Sequence, residues 1–277
     1  MVEIFADSTC DLSPEQIQQN NIHIIPLYVQ VEDQTYLDGV TIHPPKLFEM
    51  VKNTGVLPKT SAPSIPTFVS QFASAGDSLF IGISSQLSAS IQNALLAKNE
   101  LNRNNIYVVD SRTLSSAAGL LVMKAVEFRD QGLPANEIFE RIQRLVLKTE
   151  CSFVIDTLEY LYKGGRCSAL SMLMGSVLKI RPVIEVKKDG TLGVKTKVGG
   201  SRKKALNSLL DDFKSHVSGI DLQRVFITHT YCDEDAEYLK SELLKIAPIN
   251  EVCITYAGAT ISSHCGPNTV GILYLTM

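Results

Sequence analysis

The chain predicts an α/β protein with a parallel sheet in its first half and a mixed α/β second half. Three observations carry this. Short apolar runs at 2–6, 79–83 and 106–109 alternate with longer stretches of helical periodicity, the pattern of a parallel sheet covered by helices on both faces. The runs end alike, in Asp7-Ser8, Ser84-Ser85 and Asp110-Ser111. Near residue 150 the simple alternation stops, and farther on Asp189-Gly190 sits between two extended runs, a hairpin signal. The expected organisation is two domains, 1–150 and 151–277, with no repeat and no low-complexity linker.

Residues 2–6 form the first strand. Ser13-Pro14-Glu15-Gln16 is a capping-box pattern with Pro at the first helical position, so a helix follows. Residues 23–31 are β-branched and apolar enough for one buried strand, and 34–40 read as an extended edge that turns at Asp38-Gly39. In Lys59-Thr60-Ser61-Ala62-Pro63-Ser64, Pro63 pushes Ala62 out of the helical region. Ser64 then caps a helix carrying Phe68, Val69 and Phe72 on one face. The strand at 79–83 leads through Ser84 to Ser88 into a helix with Ile91, Leu95 and Leu96. After the strand at 106–109 come helices at about 115–131 and 135–148, divided by Gly132 and Pro134. The second half opens with a strand at 151–155, a helix from Leu158 that stops at Gly164-Gly165, and a Met-rich helical stretch near 168–177. The hairpin strands span 182–187 and 191–198. A helix at 202–217, a strand at 224–229, a further helix and strands at 251–256 and 270–275 complete the chain.

Composition narrows the function. With 26 basic against 29 acidic residues the net charge is −3, so no basic face marks a nucleic-acid backbone as partner. No apolar run approaches bilayer-spanning length, which leaves at most a transient membrane contact. The start carries an early acid, Glu3, and no basic segment, unlike a signal peptide. Six Cys lie far apart with no C-x-x-C pair, as expected of reduced thiols in a cytoplasmic protein. Five scattered His have no metal-ligand spacing, so no metal is expected. The chain has no phosphate-loop, dinucleotide or nucleophile-elbow signature either. Its residue chemistry favours binding over catalysis, without a cofactor.

In open α/β sheets ligands gather beyond the carboxyl ends of the strands, and here those ends are rich in hydroxyls. The helix start at Thr60 to Ser64 offers free N–H groups and hydroxyls where an anionic head group can sit, although a plain helix cap accounts for the same residues. His264 precedes the Gly266-Pro267 bend; it can donate to a bound acid or serve structurally. Cys265 beside it carries no sign of activation. Gly164-Gly165 read as a helix C-cap, with Lys163 and Arg166 facing the dipole. Ser201-Arg202-Lys203-Lys204 sets bases against a helix N-terminus, either as a partner-facing site or as a solvated charge run.

Six segments in order resemble the DegV family over essentially the whole chain. They are Asp7-Ser8-Thr9, Thr60-Ser61-Ala62-Pro63-Ser64, Ser84-Ser85-x-Leu87-Ser88, Asp110-Ser111, Leu158-x-x-Leu161-x-Lys163-Gly164-Gly165-Arg166 and His264-x-Gly266-Pro267. The resemblance implies a two-domain α/β protein that holds one long-chain fatty acid, palmitate for example, in a tunnel between its domains. It further implies a bacterial acyl-carrier subunit, not itself an enzyme, that serves phospholipid metabolism. Such a subunit presents the carboxylate to a separate ATP-dependent fatty acid kinase, which forms the acyl phosphate. On matching positions, Thr60, Ser61, Ser88 and His264 would bind the carboxylate and Arg202 would contact the kinase. Two positions depart from the family pattern: Gly200 stands where relatives often carry Arg, and Leu87-Ser88-Ala89-Ser90 replaces Leu-Ser-Gly-Thr. The competing expectation is an acyl hydrolase or transferase using Ser88 or Cys265.

Overall fold

The computed structural model describes residues 1–73, 75–167 and 180–277; the expected Met-rich helix near 168–177 lies outside them. The chain enters through β1 (Glu3–Asp7), crosses α1 (Pro14–Gln19) and returns as β2 (Ile22–Ile25). It then builds a separate antiparallel sheet from β3 (Tyr28–Val31), β4 (Gln34–Leu37) and, after α2 (Pro44–Thr54), β5 (Lys59–Ser61). The expected single strand at 23–31 is therefore two strands in two sheets. Pro26 is the reason: it has no N–H for a ladder, and the chain leaves the first sheet there.

Beyond α3 (Ile65–Ala73) the chain rejoins the first sheet as β6 (Ser78–Gly82), and α4 (Ser90–Leu101) leads to β7 (Ile106–Asp110). This sheet is wholly parallel, in the order β2-β1-β6-β7. Alternation along its strands sorts the core. Phe5 and Phe80 pack with Phe68, Phe72 and Ile91 of α3 and α4. Ile4, Leu79 and Ile81 point the other way, into a cluster with α5 (Ser115–Asp130) and α6 (Ala135–Val146). The helix before β7 begins at Ser90 instead of Ser88, and Leu95 and Leu96 are exposed while Ile91, Ala94 and Ala97 face inward.

The second sheet consists of β8 (Thr149–Val154), β9 (Ile180–Val186), β10 (Leu192–Gly199), β11 (Val225–His229), β12 (Val252–Tyr256) and β13 (Val270–Leu275). It is mixed, in the order β10-β9-β8-β13-β11-β12, and β11 with β12 is its parallel pair. Phe153 and Leu273 on one face join the cluster around α5, so that helix is apolar around most of its circumference because it is buried between two sheets. Between β8 and β9 lies the short α7 (Glu159–Lys163). The other face carries α8 (Arg202–His216) and α9 (Asp233–Ile246), packed through Leu206, Leu209, Phe213, Leu239 and Leu243. A short helix, α10 (Ala259–Cys265), connects β12 to β13. The layers thus run helix, sheet, helix, sheet, helix, and the parallel-then-mixed α/β expectation holds.

Local signals act where they were expected. Ser13 Oγ accepts from the Gln16 N–H at 3.2 Å while Gln16 Oε1 accepts from the Ser13 N–H at 3.0 Å, a complete capping box. Ser13→Ala is expected to destabilise the protein by about 1 kcal/mol, read as a fall of roughly 2–4 °C in Tm. An unchanged Tm would mean that α1 is held by its tertiary contacts alone. Ser64 caps α3 in the same way, accepting from Thr67 N–H at 3.3 Å. The β9–β10 hairpin turns through Gly190 at φ 89°.

Candidate functional site

Thr60 sits at the centre of β5, opposite Val29 of β3. Strand alternation turns its side chain inward while Lys59 and Ser61 are exposed. His264 is near the end of α10. Thr60 Oγ1 and His264 Nε2 lie 2.7 Å apart, so residues separated by 204 positions share one hydrogen bond. Ser88 lies in the turn before α4, where its Oγ accepts from the Ser90 N–H at 3.2 Å and its own N–H donates to the Ser84 carbonyl at 3.1 Å.

Thr60, Ser61, Ser88 and His264 all line one cavity of about 280 Å³, at the small end of ligand sites. Leu27, Ile83, Leu87, Leu114, Leu161 and Leu192 give it an apolar wall drawn from both halves of the chain. Arg166 lines it too; its Nη1 donates to the Gly164 carbonyl at 2.7 Å and its Nε to the Leu87 carbonyl at 3.4 Å. The lining therefore offers the hydroxyls of Thr60, Ser61, Ser88 and Thr260, an imidazole and a guanidinium, set among mostly apolar side chains.

Burial, with a smaller contribution from the Arg166 cation, pushes the His264 pKa down to about 4, so the ring is neutral near pH 7. Among the described residues its Nδ1 is buried without a hydrogen-bond partner, and it lies against Gly164. A Cβ on Gly164 would stand 2.4 Å from that nitrogen. Gly164 itself has an ordinary helical φ of −68°, whereas Gly165 takes the left-handed φ of 69°. The C-cap expectation belongs to Gly165; Gly164 is small to let the imidazole approach.

Neither candidate nucleophile has an activating partner among the described residues. Burial, aided by Asp11 and Cys167, pushes the Cys265 thiol up to about 12, so it stays protonated. Among the described residues, no imidazole or carboxylate is hydrogen-bonded to Ser88. Nor does any group of three or more His, Cys, Asp or Glu among the described residues form a metal site. No helix among them is long and apolar enough to cross a membrane.

Arg202 lines no part of this cavity. Its Nε contacts Asp235 at 2.5 Å, its Nη2 donates to the Asn268 carbonyl at 2.7 Å, and its Nη1 lies 3.8 Å from Asp156. Asp235 belongs to the acidic first turn of α9, so the unfavourable charge at the start of α8 meets a facing acid. The sequence reading did not place Arg166 at the site, although the Gly164-Gly165-Arg166 motif contained the signal. It also missed Thr260 and Ile261, which line the cavity from α10, a helix it did not anticipate.

The family model described as "Uncharacterised protein, DegV family" matches residues 1–277. The chain belongs to the DegV family. A DegV domain-containing protein of Deinococcus radiodurans is 32% identical, covering 98% of this chain and 97% of its own. One of Clostridium perfringens is 31% identical, covering 98% and 96%. Among solved structures, a DegV family protein from Thermus thermophilus, described for its fatty acid binding, has a TM-score of 0.92 at 28% identity, covering 100% of this chain and 99% of that one. DegV of Bacillus subtilis, described as a fatty acid binding protein, has a TM-score of 0.87 at 27% identity, covering 100% and 99%. The fatty acid kinase (Fak) B3 protein of Streptococcus pneumoniae, solved loaded with linoleic acid, has a TM-score of 0.88 at 27% identity over the whole of both chains.

Proposed function

We propose that this DegV protein holds one long-chain fatty acid and presents its carboxylate to a separate ATP-dependent kinase in the cytoplasm. The carboxyl group lies at the Thr60–His264 end and the tail follows the leucine-rich wall, between domains 1–150 and 151–277. The observation that carries this reading is the Thr60–His264 hydrogen bond in the wall of a largely apolar cavity. Burying about 14 methylenes at roughly 0.8 kcal/mol each contributes on the order of 11 kcal/mol before ordering costs. The head group is the difficulty, because an unpaired charge in an apolar site is expensive. Thr60, Ser61 and Ser88 supply hydroxyl donors, His264 a neutral imidazole, and Arg166 a cation in the same lining. The solved relatives described as fatty-acid-binding support the ligand class, and the Streptococcus pneumoniae relative supports the kinase. Arg202 is the candidate kinase contact, through exchange of its ion pair with Asp235.

Native mass spectrometry of the purified protein, followed by solvent extraction, is expected to show one fatty acid per chain. An empty protein that also refuses added palmitate would overturn the carrier reading. Addition of a fatty acid kinase subunit and ATP is expected to yield acyl phosphate only when both proteins are present. Ester turnover by the protein alone, lost in Ser88→Ala or Cys265→Ala, would establish an acyl-transfer enzyme instead.

A further inference from the structure

Two buried carboxylates behind the head-group end have no part in the reading so far. Asp11 follows β1 at a left-handed φ of 47°, and Asp38 follows β4; they are 5% and 1% exposed. Asp11 Oδ1 accepts the Gly258 N–H at 2.8 Å, and Asp38 Oδ1 accepts the Ala259 N–H at 2.7 Å. These are consecutive N–H groups at the start of α10, where the helix provides no partners of its own. The second oxygen of each acid is tied to the first half of the chain. Asp11 Oδ2 accepts from Ser115 Oγ at 2.5 Å, and Asp38 Oδ2 from Ser8 Oγ at 2.8 Å. Ser8 Oγ in turn accepts from the N–H of Leu27, a cavity-wall residue, at 3.1 Å. Gly258 passes close to both acids: a Cβ on it would stand 3.1 Å from Asp38 Oδ1 and 3.3 Å from Asp11 Oδ1.

We infer that Asp11 and Asp38 are positioning residues for the head-group end, a double clamp that fixes α10 from the opposite half so that His264 meets Thr60. The inference rests on the carrier reading. A seven-residue helix of sequence ATISSHC has little stability of its own, being short and rich in β-branched and Ser residues. Its place must come from tertiary contacts. One cap would hold its height; two, from separate loops, also set its rotation. That rotation brings Thr260, Ile261, His264 and Cys265 to the cavity. Neither acid acts on the ligand directly; both act through the helix. Keeping two carboxylates together out of water is costly, and burial raises the pKa of each.

The test compares Asp38→Ala and Asp38→Asn in the full chain, with palmitate and hexadecanol as probes that share a tail but not a carboxylate. Asp38→Ala is expected to weaken palmitate about tenfold or more while hexadecanol stays within about threefold. Asp38→Asn keeps an oxygen for the Ala259 N–H and is expected to recover most of the palmitate affinity. Equal losses for the two probes, or no loss of palmitate, would overturn the clamp. Should Asp38→Ala not fold, Ser115→Ala removes only the hydroxyl behind Asp11 and is expected to show the same selectivity for palmitate at about threefold; a non-selective or absent effect there overturns the inference equally. Wild-type protein that binds neither probe overturns the carrier reading and the clamp together. Wild-type binding with non-selective losses overturns the clamp alone.

Discussion

Gly164→Ala is expected to remove the head-group site along with part of the protein's stability. The backbone at Gly164 is ordinary, with φ −68° and ψ −17°, so a methyl group would bring no conformational strain. Its neighbours oppose it. The added Cβ would stand 2.4 Å from His264 Nδ1 and 2.8 Å from the Tyr160 carbonyl oxygen. That carbonyl accepts the Gly164 N–H at 2.8 Å within the same turn and cannot withdraw; the imidazole is what moves. Overpacking of this kind costs about 1–3 kcal/mol, or roughly 2–4 °C of Tm for each kcal/mol in a chain of this size. A displaced imidazole leaves Thr60, and palmitate affinity is expected to fall about tenfold or more. Gly165→Ala is the control. Among the described residues nothing stands within 4 Å of its Cβ, but φ 69° makes the residue strained by about 1–2 kcal/mol. Stability should fall there while palmitate affinity is kept. Melting curves and palmitate titrations of the two variants separate the effects; wild-type affinity in Gly164→Ala would show that the close approach does not govern the site.

The same glycines mark how far the sequence could be read. Gly164-Gly165 read as a helix C-cap, and Gly165 is one, because a cap depends on local backbone conformation. The capping box at Ser13 and Gln16, the Ser64 cap, the Gly190 hairpin turn and the buried run of β6 were legible for the same reason. The role of Gly164 was not legible, since it depends on the side chain of His264, far away in sequence. The helix α10 escaped likewise: its first N–H groups are capped by Asp11 and Asp38, 247 and 221 positions away. Pro26 carries the signal for the break between β2 and β3, against the β-branched pattern around it. The strand-end hydroxyls serve the fold instead of the cavity: Ser8 Oγ donates to Asp38, Ser84 Oγ to the Gly190 carbonyl, Ser85 Oγ to Asp110 and Ser111 Oγ to the Thr113 carbonyl, and none of the four lines the cavity. Only the fold shows that Thr60 and His264 share a hydrogen bond and that Arg166 lines the same cavity, close enough to act on the imidazole.

Acid is expected to destabilise the ligand-free protein through His264, by about 3 kcal/mol between an unfolded pKa of 6.5 and a folded pKa of about 4. The sign follows from proton binding. Between those values the unfolded chain holds a proton on this imidazole and the folded chain does not, so lowering the pH favours unfolding. The contribution is fully present above the unfolded pKa and is lost as pH falls through the folded one. Asp7, Asp11 and Asp38 work in the opposite direction. Burial raises their folded pKa values, so their contribution favours the folded state at low pH and is lost as pH rises through those values. The curve of the wild type alone therefore mixes the two. His264→Gln isolates the imidazole, because an amide can still bond to Thr60 but does not titrate. In paired denaturation curves the wild type should lose stability relative to His264→Gln across that window, and the difference should level off below it. A difference that stays flat with pH would mean that the folded protein already accommodates an imidazolium at this position, and the neutral ring assigned to the head-group site would be wrong.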